Sequence, residues 1–118
     1  MEVEYIDYFG EWWDQLTIPE QESVAAVVNL LQEHGVKLRF PRSSGVSGSR
    51  FAHMRELRIQ PEGRPYRVLY AFDPHRAAIL LLGGAKTGDD RWYETNVPIA
   101  DRLYEQHLKG GSGNGEEI

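Results

Sequence analysis

RPYRVLYAFDPHRAAILLLGGAKTGDDRWY, residues 64–93, holds the densest apolar run of the chain and frames it with cations: Arg64 and Arg67 before it, Lys86 and Arg91 after it. Tyr66 to Tyr70 alternates large apolar residues with one charge, the pattern of a half-buried strand. Asp73-Pro74-His75-Arg76 is turn chemistry, because Pro presets the backbone angle that a tight reversal needs. Ala77 to Leu82 is apolar at every position, as in a strand covered on both faces. A hairpin that runs into Gly83-Gly84 and a charged loop makes a rigid shelf for a site.

Working outward, Phe51 to Gln60 reads as the preceding strand and Pro61 to Arg64 as its turn. With that loop length Arg58 lies directly across from Arg67, and like charges placed opposite each other in a sheet repel. The pair has two explanations. Glu56, on the same face, neutralises both, or an anion is held between two guanidiniums. A four-residue turn at Asp73–Arg76 would place Ile79 and Leu81 on the core face with Tyr66, Val68, Tyr70, Phe72, Leu57 and Ile59. Leu80, Leu82 and Lys86 would then share the opposite, open face with Arg58 and Arg67. Such a face needs a cover or a partner.

Nearer the amino end, Val3 and Tyr5 mark a first strand, and Phe9, Trp12, Trp13 and Leu16 form one stripe of a short helix. Thr17-Ile18-Pro19-Glu20 is a capping box with Pro in the first turn. The helix it opens carries Val24, Val27, Val28 and Leu31 on one face and stops at Gly35. Arg39 to Arg50, rich in Ser, Gly and Arg, reads as an exposed loop whose arginines, Arg42 and Arg50 among them, suit phosphate contacts or plain solvation. Thr95 or Asn96 can cap a last helix with Pro98 near its start. Residues 110–118 read as a disordered tail after a single domain, 1–109.

At 118 residues with 41% hydrophobic and 26% charged residues, the chain has the composition of one globular domain. Having no cysteine, it has no disulfide or thiolate metal site, and a reducing compartment, the cytoplasm, is the default. The acidic start MEVEYIDYFGEWW does not read as a leader, and no apolar run approaches a membrane span. The net charge of −5 conceals segregation: residues 1–36 carry eight acids and no Lys or Arg, whereas residues 37–91 carry eleven bases against five acids. An acidic total argues against general nucleic-acid binding and leaves room for one focused basic site. No His/Asp/Glu cluster has ligand spacing, so neither a metal nor another cofactor is expected.

The order strand, two helices, three antiparallel strands, together with MRELR, GRPYRVLYAFDP and GGAKTGDDRWY in sequence, resembles the RelE/ParE superfamily of toxin–antitoxin toxins. The closer resemblance is to its HigB-like, phage Gp49-like branch, and it spans Glu4 to Leu108. It implies an α+β fold: a small antiparallel, mixed-edge sheet of about four strands, an N-terminal αα-hairpin on one face and a C-terminal helix. It implies a cytoplasmic toxin that cleaves mRNA on the ribosome without a metal and is neutralised by a cognate helix-turn-helix antitoxin. By position, Arg67 matches the strand arginine set against the scissile phosphate, Lys86 the lysine that ends the last strand, and Tyr93 a tyrosine that takes the 2′-hydroxyl proton. Arg58 and Arg91 complete the cationic set. The superfamily's arginine after that lysine, which protonates the leaving group, is Thr87 here. Two rival functions stay open: a gyrase inhibitor of the ParE kind, and a binding module that has lost catalysis. His53 and His75 read as structural, while His107 stays a candidate at the carboxyl side. Cations around Tyr93 would have to depress its pKa for it to act as a base.

Overall fold

The alternation at residues 66–72 becomes the central strand of a mixed sheet in the computed structural model, which describes residues 1–75, 77–88, 91–110 and the backbone of 116–117. The elements are β1 (Val3–Tyr5), α1 (Asp7–Asp14), α2 (Ile18–His34), β2 (Ser43–Gly45), β3 (Arg55–Ile59), β4 (Tyr66–Phe72), β5 (Ala78–Ala85), α3 (Arg91–Leu108) and β6 (Glu116–Glu117). Five strands lie in the order β2-β3-β4-β5-β1, one more than expected, with β6 added outside β1. β1 runs parallel to β5 and every other pairing is antiparallel. Of the tail expected to be disordered, residues 111–115 and 118 lie outside the described residues, as does Arg76.

Each face of the sheet carries its own core. On one face α1 and α2 lay the predicted stripes, Phe9 with Val24, Val27, Val28 and Leu31, against Leu57, Val68, Tyr70 and Leu80. On the other, α3 sets Val97, Ala100 and Tyr104 on Leu69, Ala71, Ile79, Leu81 and Leu82. A fully buried side chain of this size is worth about 1.5–3 kcal/mol, so two covered faces hold the small sheet firmly.

The expected register survives between β3 and β4, where Arg58 pairs with Arg67, but not between β4 and β5. Asp73 is the reason. Its carboxylate accepts from the backbone N–H groups of His75 and Ala77, and its own N–H donates to the Ala77 carbonyl at 2.9 Å. The turn is thereby lengthened by one residue, so Phe72 pairs with Ala78 and Tyr70 with Leu80. A bulge follows, since Leu69 pairs with Leu82 and leaves Leu81 extra. Leu80 therefore faces the helical hairpin, while Ile79 and Leu81 face α3, the reverse of the expectation. The supposedly open leucines are buried, Leu80 at 0% and Leu82 at 1% exposure.

Three further expectations change. The Arg39–Arg50 loop contains β2, whose Ser43 is buried and shares a 2.7 Å hydrogen bond with the Tyr70 hydroxyl. Small side chains let this strand close the edge of β3, which spans only Arg55–Ile59. α3 begins at Arg91, with Pro98 inside it rather than at its start; the extra turn carries Trp92 and Tyr93 onto the sheet. At the other end of the sheet Gly83 and Gly84 admit close approach: a Cβ on Gly83 would lie 2.4 Å from the Trp12 ring, and one on Gly84 3.0 Å from Trp92.

The capping box forms as predicted and is extended. The Glu20 side chain accepts from Thr17 N–H at 2.7 Å, from Arg64 at 2.6 Å and from the Tyr66 hydroxyl in a very short hydrogen bond. Arg64 is thus an ion-pair partner and not merely a solvated turn residue. The Tyr66 hydrogen bond, then the Thr17 backbone, holds the Glu20 carboxyl at about 2, below its ordinary 4.5. A depressed carboxyl contributes stability that is present above the unfolded value and lost as pH falls through the folded one. Glu20→Gln should therefore lower the melting temperature at neutral pH, and the gap to the parent should close between pH 4.5 and 2. A gap that stays constant across that range in thermal melts would remove this linkage.

Candidate functional site

Glu56 and Arg58 stand two residues apart on β3 and so share the α3 face of the sheet, with Arg67 opposite Arg58 on β4. The Glu56 carboxylate, 3% exposed, collects what surrounds it. Its Oε2 accepts from Ser44 Oγ at 2.7 Å and from Arg58 Nη1 at 3.1 Å. Its Oε1 accepts from the Tyr93 hydroxyl at 2.6 Å and lies 3.5 Å from Arg67 Nε. Arg67 Nε donates to the Tyr93 oxygen at 3.4 Å, and its Nη1 to the Tyr66 carbonyl at 3.0 Å. Lys86, on the same face, holds its ammonium 5.8 Å from the centre of the Tyr93 ring.

Three of the sequence-predicted residues, Arg58, Arg67 and Tyr93, therefore meet around one carboxylate, and Lys86 stands beside the Tyr93 ring. Arg67 was expected on an open face, yet it is only 6% exposed, because Tyr93 on α3 lies over it. Arg58 is the accessible arginine, with 31% of its side chain exposed. Arg91 opens α3 and is exposed. Arg42 is exposed at the turn before β2, whereas Arg50 is drawn to α3, 3.8 Å from Asp101 and 3.2 Å from Glu105. His107 reaches Asp73 in the β4–β5 turn, 3.4 Å away, and His53 packs edge-on to Tyr104. Thr87 is exposed.

The tyrosine departs from expectation in sign. Burial, followed by the hydrogen bond to Glu56, raises the Tyr93 pKa, and Arg67 offsets this only in part. Its proton stays on at neutral pH, so the phenol is a donor here rather than a base. Beside it opens a cavity of about 570 Å³ lined by Gly45, Val46, Ser47, Gly48, Glu56, Tyr93, Glu94, Val97 and Pro98. Among the described residues, no group of three His, Asp or Glu is placed to hold a metal ion, and no helix is long and apolar enough to cross a membrane.

Comparison with known proteins agrees with this arrangement of elements and motifs. The model of the family "Phage derived protein Gp49-like" matches residues 11–105. A Mycobacterium tuberculosis (strain ATCC 25618 / H37Rv) protein named "Putative toxin HigB3" is 41% identical over 116 residues, 98% of this chain and 100% of its own length. The chain belongs to the Gp49-like family of HigB-like toxins. A second relative from the same organism, "Putative toxin HigB2", is 37% identical over 105 residues, covering 87% of this chain and 52% of its own. No solved structure matches the chain.

For this HigB-like chain, Glu56 is the residue that reading cations alone undervalues. A glutamate two positions before a strand arginine already places both on one face, but its role as the shared acceptor depends on Ser44 and Tyr93, which come from a strand and a helix turn hidden in the sequence. Breaking a buried ion pair on one side leaves an uncompensated charge, at a cost of about 3–5 kcal/mol. Arg67→Met should therefore lower stability by that order in chemical denaturation. The double variant Glu56→Gln/Arg67→Met should recover part of the loss, because the orphaned carboxylate is gone. Additive losses would mean that the two side chains do not interact.

Proposed function

We propose that this HigB-like chain is the toxin of a type II pair, a metal-independent endoribonuclease that cuts mRNA on the ribosome and stops translation in the cytoplasm. Its expected partner is a helix-turn-helix antitoxin. The observation that carries the reading is the convergence of two arginines and a phenol on one buried carboxylate, with Lys86 beside the ring of that phenol. Cleavage of an RNA chain by its own 2′-hydroxyl needs a base for that hydroxyl, positive charge on the phosphate and a proton for the leaving oxygen.

Glu56 is the base in this scheme. Arg58 and Lys86, the accessible cations, meet the phosphate, and Arg67 supports both the carboxylate and the field from below. An entering phosphate competes with Glu56 for the Arg58 guanidinium and frees Oε2 to accept the 2′ proton. Tyr93 keeps its proton and supplies it to the leaving 5′ oxygen, the task that Thr87 cannot perform. The products are a cyclic phosphate and a 5′-hydroxyl.

Expression without an antitoxin should arrest growth, with protein synthesis falling before DNA synthesis in pulse labelling. Glu56→Gln and Tyr93→Phe should each lower cleavage of ribosome-bound mRNA by on the order of 10²–10⁴. If DNA synthesis fails first, the chain acts on gyrase instead, and a fully toxic Glu56→Gln protein would end the role given to that carboxylate.

A further inference from the structure

Arg58 has a second partner, and it lies outside the carboxylate cluster. Its guanidinium carbon sits 5.2 Å from the centre of the Phe40 ring, while its Nη1 reaches Glu56 at 3.1 Å. Phe40 is 70% exposed, a high value for so large an apolar side chain. Its loop is firmly built. Leu38 is buried beneath it, the N–H groups of Arg42 and Ser43 both donate to the Arg39 carbonyl, and Arg58 N–H donates to the Arg42 carbonyl at 2.9 Å. The surrounding sequence is basic: between Glu33 and Glu56 there is no acid, and Lys37, Arg39 and Arg42, all exposed, flank the ring.

An exposed aromatic ring beside a guanidinium, within a run of cations, is the arrangement on which single-stranded nucleic acids stack a base while their phosphates are held alongside. Charge complementarity selects a polyanion over a neutral or basic surface, and the exposed ring beside the guanidinium selects one that carries bases to stack. The shared Arg58 fixes the distance, because one guanidinium touches both the ring and the carboxylate that faces the reacting ribose. We infer that Phe40 is a stacking platform for a nucleobase of single-stranded RNA close to the phosphate held by Arg58, with Arg39 and Arg42 on the adjoining backbone. The inference rests on the RNA-cleavage reading and adds the surface that grips the strand.

The test uses the full chain and a short single-stranded RNA whose 2′-O-methyl riboses prevent cleavage, with binding measured over a range of salt. Base–aromatic stacking corresponds to about 5- to 150-fold in affinity, and Phe40→Ala should weaken binding by that order with the salt slope unchanged. Phe40→Trp should retain binding. Arg39→Ala and Arg42→Ala should instead reduce the salt slope, as loss of a phosphate contact does. An oligonucleotide with abasic positions should bind the parent and Phe40→Ala equally. Since the ring is exposed, the variants should melt with the parent.

If the parent cleaves mRNA and Phe40→Ala binds the RNA as tightly as the parent, the platform is overturned and the cleavage reading stands. Equal binding by Phe40→Leu overturns it as well, because stacking needs a π face. A parent that neither binds nor cleaves RNA overturns both. Should Phe40→Ala keep its RNA affinity but lose the antitoxin in co-purification, the surface belongs to the protein partner and the inference falls.

Discussion

One buried carboxylate makes the sheet of this protein possible. Arg58 and Arg67 stand opposite each other on adjacent strands, where repulsion would oppose the pairing. Glu56 lies within 3.1 Å of one and 3.5 Å of the other. In a low-dielectric interior such attractions are stronger than in water, and an unmet charge is correspondingly costly. The carboxylate also binds Ser44 on β2 and Tyr93 on α3, so three strands and a helix converge on one group. A structural need and a chemical capacity coincide there.

The opposite face uses the same device in a milder form. Glu20 gathers Thr17, Arg64 and Tyr66, tying the start of α2 to the β3–β4 turn and to β4. Tyr66 and Arg67 are neighbours in sequence with side chains on opposite faces, so β4 is fastened from both sides by acids at the same level. The pKa of each tyrosine is raised, with a carboxylate hydrogen bond as the first cause at Tyr66 and burial as the first at Tyr93.

What the sequence made legible was local. The capping box at Thr17–Glu20, the stripe of α1 and the register set by the Pro61–Arg64 turn all depend on neighbours in the chain, and all appear in the structure. What it concealed depended on side chains acting at a distance or on weak patterning. Asp73 lengthened a turn by capping two backbone groups, which moved Ala78 to Leu81 to the other face until the bulge at Leu81 returned Leu82 and the rest of β5 to the expected one. β2 was hidden because Ser and Gly signal loops as strongly as they permit a narrow edge strand. α3 started early because Trp92 and Tyr93 had sheet surface to cover, and Pro98 proved a misleading start signal. That early turn also packs beside Leu82 and buries Arg67, so the candidate residues could be named while their exposure could not. Tyr93 changed from an expected base to a donor for the same reason: its surroundings were assembled from three other elements.

At Gly83-Gly84 the sheet has no side-chain padding at all. The Trp12 indole presses on one glycine from the α1 side, and the Trp92 indole on the next from the α3 side, so two rings are separated by little more than one layer of backbone. Elsewhere the two helical layers are insulated from each other by buried leucines and tyrosines. Here they are in near contact, two residues before Lys86 and one before the Tyr93 that α3 carries beside Trp92. A larger side chain at either position would collide with an indole, so these two glycines set how closely both helices can approach this end of the sheet.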